Sequence, residues 1–222
     1  MNYVSFWDAC RFTNWLQNNQ PTGVNEGVGT TETGAYDLTD TTGIANNTIT
    51  RSTGTTWAIA SENEWYKAAY YKGGSTSAGY WTNPTQSNTN PSNVLSATGT
   101  NNANYDDLYY GTGNGGYTDP TNILTVVGAF AASPSAYGTY DQSGDVWQWD
   151  DMIIFGSERN LRGGSFFDPV TYLQSGVFRG TDPTTVISDI GFRVSYVPEP
   201  ASLSLLSLGV IGVLVRRRGV AK

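Results

Sequence analysis

The chain has 222 residues, enough for one domain with a substantial core, and contains no histidine, which excludes every mechanism built on an imidazole base or imidazole metal ligand. Before Pro198 there are 18 acidic against 8 basic residues, a net of −10; from Pro198 onward there are 1 acidic and 4 basic, a net of +3. An acidic body argues against a nucleic-acid partner, whose phosphates require a Lys/Arg surface. The single cysteine, Cys10, rules out an internal disulfide. Seven Trp and 14 Tyr stand among abundant Gly, Asn, Thr and Ser, the composition of a loop-rich domain whose core is built from rings rather than aliphatic stripes.

The pattern opens on a helix. Val4, Trp7, Cys10 or Arg11, and Trp15 recur at helical spacing, and Ser5 or Asn2 is placed to cap the start. Trp57 to Ala60 reads as a short strand. Ser61 and Glu64 then have the spacing of a capping box, followed by Trp-Tyr-Lys-Ala-Ala-Tyr-Tyr at 65–71, with Gly73 and Gly74 as the stop. From 74 to about 122 periodicity disappears, and a loop of that length is expected to bind something or to be pinned by an ion. Its stretch 88–104 is low in complexity, but Tyr105, Tyr109, Tyr110 and Tyr117 argue against full disorder.

Three blocks follow: Tyr-Asp-Gln-Ser-Gly-Asp-Val-Trp-Gln-Trp at 140–149, Leu-Arg-Gly-Gly-Ser at 161–165, and Gly-Phe-Arg-Val at 191–194. Trp147 and Trp149 alternate with Val146 and Gln148, as in a strand that sets both indoles on one face against the core. Arg162 and Arg193 suit buried or half-buried pairing with carboxylates such as Asp141, Asp145 or Asp189. Gly163 and Gly164 suit a close backbone approach.

The tail is distinct. Val-Pro-Glu-Pro at 197–200 precedes an uncharged, Leu- and Val-rich run of 15 residues, 201–215, and then Arg216, Arg217 and Arg218. The run is shorter than the roughly 20 residues that span a bilayer comfortably, and the arginines would lie on the cytoplasmic side, leaving the body outside.

Taken together, the blocks resemble the formylglycine-generating enzyme, or sulfatase-modifying factor, family. Trp-Ala-Ile-Ala-Ser-Glu-Asn-Glu-Trp-Tyr-Lys-Ala-Ala at 57–69 is similar to its Arg-Leu-Pro-Thr-Glu-Ala-Glu-Trp-Glu-Tyr-Ala-Ala block, and 4–16 to its Val-Ser-Trp-x-Asp-Ala segment ending in Asn-Trp-Leu. The blocks at 140–149, 161–165 and 191–194 match its Tyr-Asp-x-x-Gly-Asn-Val-Trp-Glu-Trp, Leu-Arg-Gly-Gly-Ser and Gly-Phe-Arg-Val. Five blocks in order over residues 4–195 are specific where one alone is weak. The resemblance implies an α+β, loop-rich variant of the C-type lectin fold over 1–196. That family's N-terminal strands precede the point where this chain begins, and no signal peptide opens it, so an N-terminally truncated sequence is expected, a genuinely short variant being the alternative.

The tail at 197–222, with Pro198, Glu199, Pro200 and the three arginines, resembles the PEP-CTERM sorting signal of exported bacterial proteins, an address rather than structure. It implies an exosortase-type partner, a transient inner-membrane anchor, and delivery to the cell surface or extracellular matrix.

Carried over residue by residue, the family resemblance loses its chemistry. The two copper-binding cysteines of formylglycine-generating enzymes fall at Asp168 and Leu173, and neither supplies the soft thiolate that copper(I) needs. The iron-dependent branch requires histidine. No catalytic residue, copper site or iron site is therefore expected, and Cys10 reads as a small core residue. A family calcium site maps to the Asp141 side chain, the Gly144 and Val146 carbonyls and the Gln148 side-chain oxygen, with glutamine where glutamate is usual; a second would use Asn104, the Tyr105 carbonyl and a ligand near Asp119. Two functions follow: a non-catalytic exported module that displays the 74–122 loop to glycans or extracellular proteins, or a formylglycine-generating oxidoreductase that activates sulfatases. A hydrolase using Asp150 and Asp151 would need them to converge in space.

Overall fold

The first helix, α1 (Phe6–Gln17), starts where the sequence marks it: Ser5 accepts from the Asp8 amide and Asp8 reaches back to the Ser5 amide, closing a capping box. A computed structural model describes residues 1–108 and 115–197; Tyr109, Tyr110 and the sorting-signal residues Pro198, Glu199, Pro200, Arg216, Arg217 and Arg218 lie outside the described residues. Two short helical turns, α2 (Val28–Thr31) and α3 (Thr41–Ala45), lead to β1 (Trp57–Ile59). Helix α4 (Glu62–Tyr70) carries the second capping box, Ser61 with Glu64.

Helix α4 ends earlier than the glycines suggest. Tyr71 is already extended and opens β2 (Tyr71–Gly73), which pairs antiparallel with β3 (Gly79–Tyr80). Gly73 and Gly74, at φ +76° and +101°, make the hairpin turn rather than the helix stop.

The main sheet has the order β6-β5-β4-β7, from β4 (Trp147–Ile154), β5 (Glu158–Arg162), β6 (Arg179–Thr181) and β7 (Ile190–Phe192). Strands β5 and β6 run antiparallel and β7 runs parallel to β4. The chain then crosses over, and β8 (Val194–Tyr196) pairs with β1. Among the described residues no helix is long and apolar enough to cross a membrane.

The core is made of rings, as the composition implies. Phe6, Trp7, Tyr36, Trp147 and Trp149 are buried in one cluster with Cys10 and Leu161, and Phe6 meets Trp7, Tyr36 and Trp149 edge to face at 5.2–6.3 Å. Both indoles of β4 are buried, but so are Gln148 and Asp150 on the opposite face, because α4 and the 140–145 loop cover it.

The long loop is pinned by asparagines, not left structureless. Asn83 donates to the Thr89 carbonyl at 3.0 Å, Asn93 to that of Tyr105 at 3.1 Å, Asn102 to that of Val94 at 2.9 Å, and Asn104 to that of Ile123 at 2.9 Å. Each side chain takes the place of a missing ladder partner, so the low-complexity stretch is a set of backbone staples.

Arg159 is fully buried at the heart of this arrangement. Its guanidinium lies 4.1 Å from the Phe6 ring centroid and donates to Asn47 Oδ1 and to the carbonyls of Asp151 and Ile49 at 2.6–2.8 Å. Replacing it by alanine strands three buried acceptors and opens a void. Arg159→Ala is expected to lower stability by on the order of 3 kcal/mol or more in urea unfolding, with a lower midpoint.

Candidate functional site

The 140–149 block folds as a tight loop running into β4. Asp141, Gly144 and Asp145 all have positive φ, +52°, +80° and +49°. At Gly144 a Cβ would strike the Asn104 backbone, with which Gly144 forms a parallel bridge, so only glycine fits. The Gly144 amide donates to the Gly163 carbonyl at 2.9 Å, which joins this loop to the Leu-Arg-Gly-Gly-Ser block.

Gln148 is the hub of the site. Its Oε1 accepts from Trp65 Nε1 on α4 at 2.8 Å and from Arg193 Nε at 2.7 Å. Both partners are obligate donors, so the amide orientation is fixed, and Nε2 must face the carbonyls of Asp141 and Gln142, at 3.2 and 3.4 Å. Arg193 also donates through Nη2 to the carbonyls of Tyr140 and Asp141. It has no carboxylate partner among the described residues, contrary to the expectation from the sequence; burial pulls its pKa below the usual arginine value, with Asp141 and Asp145 acting the other way. Arg162 likewise meets none of the expected carboxylates. Its fork is taken by Glu62 at the first turn of α4, and Nη1 donates to the carbonyls of Ser175 and Val177.

Asp141, Asp145, Val146, Gln148 and Arg193 line a cleft of about 420 Å³. Asp141 Oδ2 accepts from the Gly128 amide at 3.1 Å, while its Oδ1 is buried without a partner. Asp145 accepts from Asn104 Nδ2 at 2.6 Å and from Thr125, and burial raises its pKa against those hydrogen bonds. Asn104 Oδ1 is also buried and unpartnered, but the Tyr105 carbonyl accepts from Asn93, and Asp119 uses both carboxylate oxygens to cap its own turn at Thr121 and Asn122. Among the side-chain oxygens of the two sets, Asp141 Oδ1 and Asn104 Oδ1 are buried without a hydrogen-bond partner. Gln148 turns an N–H toward the loop and Asp119 is engaged in its own turn, so each of these side chains would have to reorient to ligate calcium.

The positions where the resemblance places catalytic cysteines are built as structure. Asp168 Oδ2 accepts from Ser165 Oγ at 2.5 Å, Ser165 N at 3.0 Å and Trp147 Nε1 at 2.8 Å, a turn closed by one carboxylate oxygen. Leu173 is fully buried with Ala103, Tyr105 and Val170, and its carbonyl accepts from Tyr70 Oη at 2.9 Å. Cys10 belongs to the separate main core, where burial raises its pKa well above the usual thiol value. No reactive thiolate exists in the chain.

With this geometry in view, a family model of the sulfatase-modifying factor enzyme 1-like domain matches residues 1–196. The chain belongs to that family. The PEP-CTERM protein-sorting motif matches residues 197–218, which marks an exported protein sorted to the cell envelope and processed by an exosortase-type enzyme. Among solved structures, the Treponema denticola variable protein 1 aligns at 20% identity over 89% of this chain and 71% of its own, with a TM-score of 0.51. CarF aligns at 21% identity over 89% and 68%, TM-score 0.48, and PvdO from Pseudomonas aeruginosa at 18% over 87% and 60%, TM-score 0.45. At these identities the likeness concerns the fold alone. No curated protein matches.

Asp150 and Asp151 do not converge. As neighbours on β4 they point to opposite faces: Asp151 pairs with Arg51 at 3.2 Å, while Asp150 is buried and shares the Asn160 amide with Glu62, at 2.6 and 2.9 Å. The carboxylate that neighbours Asp150 is Glu62, a pairing invisible in the sequence because 88 positions separate them. Burial, then the contact with Glu62, pushes the Asp150 pKa up to about 8. In the unfolded chain the group titrates near pH 4, so between about pH 4 and 8 the folded state holds one more proton. Stability contributed by this group is present below that window and lost as pH rises through it, at up to about 1.4 kcal/mol per pH unit. Thermal unfolding from pH 4.5 to 8 should show a declining midpoint that flattens in Asp150→Asn.

Proposed function

We propose that this exported domain is a non-catalytic binding module of the cell surface or matrix, held in the inner membrane by the 201–215 run until the sorting enzyme removes it. The observation that carries this reading is the pair Asp168 and Leu173. Formylglycine formation needs a copper-binding dithiol, and these two positions instead supply a carboxylate locked by three donors and a buried aliphatic side chain. The capped helices and the asparagine hydrogen bonds that tie down the long loop suit a pre-formed binding surface. Glycans and extracellular proteins are the partner classes it would meet. Incubation of the purified chain with copper and a cysteine-containing sulfatase peptide should leave the cysteine unchanged by mass spectrometry; formylglycine appearing in the product would establish the oxidoreductase instead.

We also infer that the 140–149 loop keeps its shape without calcium. Arg193 and the Gln148 amide bring positive charge and N–H donors to the carbonyls of Tyr140, Asp141 and Gln142, the role a calcium ion plays for loop oxygens. The melting temperature should not move between chelator and millimolar calcium. In Gln148→Glu, where a second acceptor oxygen replaces the N–H, calcium should raise it. A saturable calcium shift in the unsubstituted chain would count against the inference.

A further inference from the structure

We propose that a strip of tyrosines beside α4 is a binding site for a neutral polysaccharide. Helix α4 presents Tyr66, the β2–β3 hairpin pairs Tyr71 with Tyr80 across the strands, and the 135–139 turn brings in Tyr137. Ring centroids step 4.9 Å from Tyr66 to Tyr80, 6.0 Å to Tyr71 and 5.8 Å to Tyr137, with interplanar angles of 59°, 67° and 32°, so the four rings form a contiguous but faceted cluster. Tyr80 is 51% and Tyr137 53% exposed. None of the four phenol oxygens makes a hydrogen bond among the described residues, which leaves every hydroxyl available.

Two cations meet these rings: the Arg162 guanidinium, 5.4 Å from the Tyr66 centroid, and Lys67. The Lys67 ammonium lies 5.6 Å from the Tyr71 centroid and 5.9 Å from that of Tyr137, and it makes no salt bridge among the described residues. It lies over both rings, on one side of each, and carries three N–H donors there.

The strip is also pre-formed. Tyr137 sits on a turn closed by Ser135 N to the Thr139 carbonyl at 2.8 Å and by Ser135 Oγ with Thr139 Oγ1 at 2.6 Å. Tyr66 and Lys67 stand on a capped helix. Little ordering entropy remains to be lost on binding.

The occupant follows from three features. Ring faces offer apolar area to the C–H faces of sugar rings, while free phenols and an ammonium meet hydroxyls at the edge. The segments that flank the rings, Gly74, Ser75, Thr76, Gly79 and Gly138, carry no large aliphatic side chain, whereas a protein partner needs an apolar centre within about 800 Å² on each side. Finally, a net charge of −10 before Pro198 repels polyanions and the Lys67 ammonium over the rings repels a polycation, which together favour an uncharged polymer.

This proposal rests on the binding-module reading and locates its site beyond the 74–122 loop, on α4, the hairpin and the 135–139 turn. The test is native electrophoresis of the full chain, in mild detergent, through gels containing a neutral β-glucan or, in parallel, a polyuronate. The neutral polymer should retard the chain, and Tyr80→Ala with Tyr137→Ala should weaken retardation by about tenfold or more. Both side chains are exposed, so an unchanged melting temperature shows that the double variant folds. If that pair truncation lowers the melting temperature, Lys67→Ala serves as the second variant, with a smaller loss of retardation expected. Retardation that survives in a folded double variant, retardation by the polyuronate alone, or none by either polymer overturns the assignment. The binding-module reading is judged separately by the formylglycine assay and survives any of these results.

Discussion

The amide of Gln148 joins the three parts of this fold that are remote in sequence. Its oxygen collects the indole N–H of Trp65 from α4 and the guanidinium of Arg193 from the crossover between β7 and β8, and its nitrogen holds the carbonyls of the 140–145 loop. Each partner is buried or nearly so, so every one of these polar groups would cost free energy if left alone. A glutamate would supply two acceptor oxygens and no donor, and the loop carbonyls would then face a negative charge. The glutamine resolves that conflict internally, with N–H groups on one side and an oxygen on the other.

The same logic recurs wherever charge is buried. Arg159 is satisfied by carbonyls and an amide and is stacked on Phe6; Arg162 meets Glu62 in a fork; Asp150 stays neutral beside Glu62 because a second carboxylate charge at that depth is too costly. These groups are structural, since their polar atoms are occupied by the protein itself. A domain with short strands and few aliphatic residues relies on such pairings, together with edge-to-face rings, for a unique core.

Positions 168 and 173 follow the same logic. Asp168 did not leave an open pocket. Ser165 and Trp147 close on its carboxylate, and Leu173 completes a small apolar cluster under the long loop. Both positions are thus taken up by structural contacts, with the exposed rings of Phe167 and Tyr172 as their chain neighbours.

Much was legible in the residues. Both capping boxes, β1, the burial of Trp147 and Trp149, and the ring-built core follow from local spacing and composition, because caps and alternation are short-range effects. Family membership was legible too, since five blocks of the family stand in order along the chain. The partners of the arginines were not, because Glu62 lies 100 positions before Arg162 and the carbonyls that hold Arg193 belong to no side-chain pattern. The early end of α4, the asparagine staples and the tyrosine strip were equally hidden, as each depends on which segments pack together. The sequence by itself determined the scaffold, the export address and the absence of any imidazole, all of which depend on residue identity and short-range order. Only the tertiary structure decided how the buried charges are neutralised and which aromatic rings meet at the surface, because hydrogen bonds and ring contacts depend on distance in space rather than along the chain.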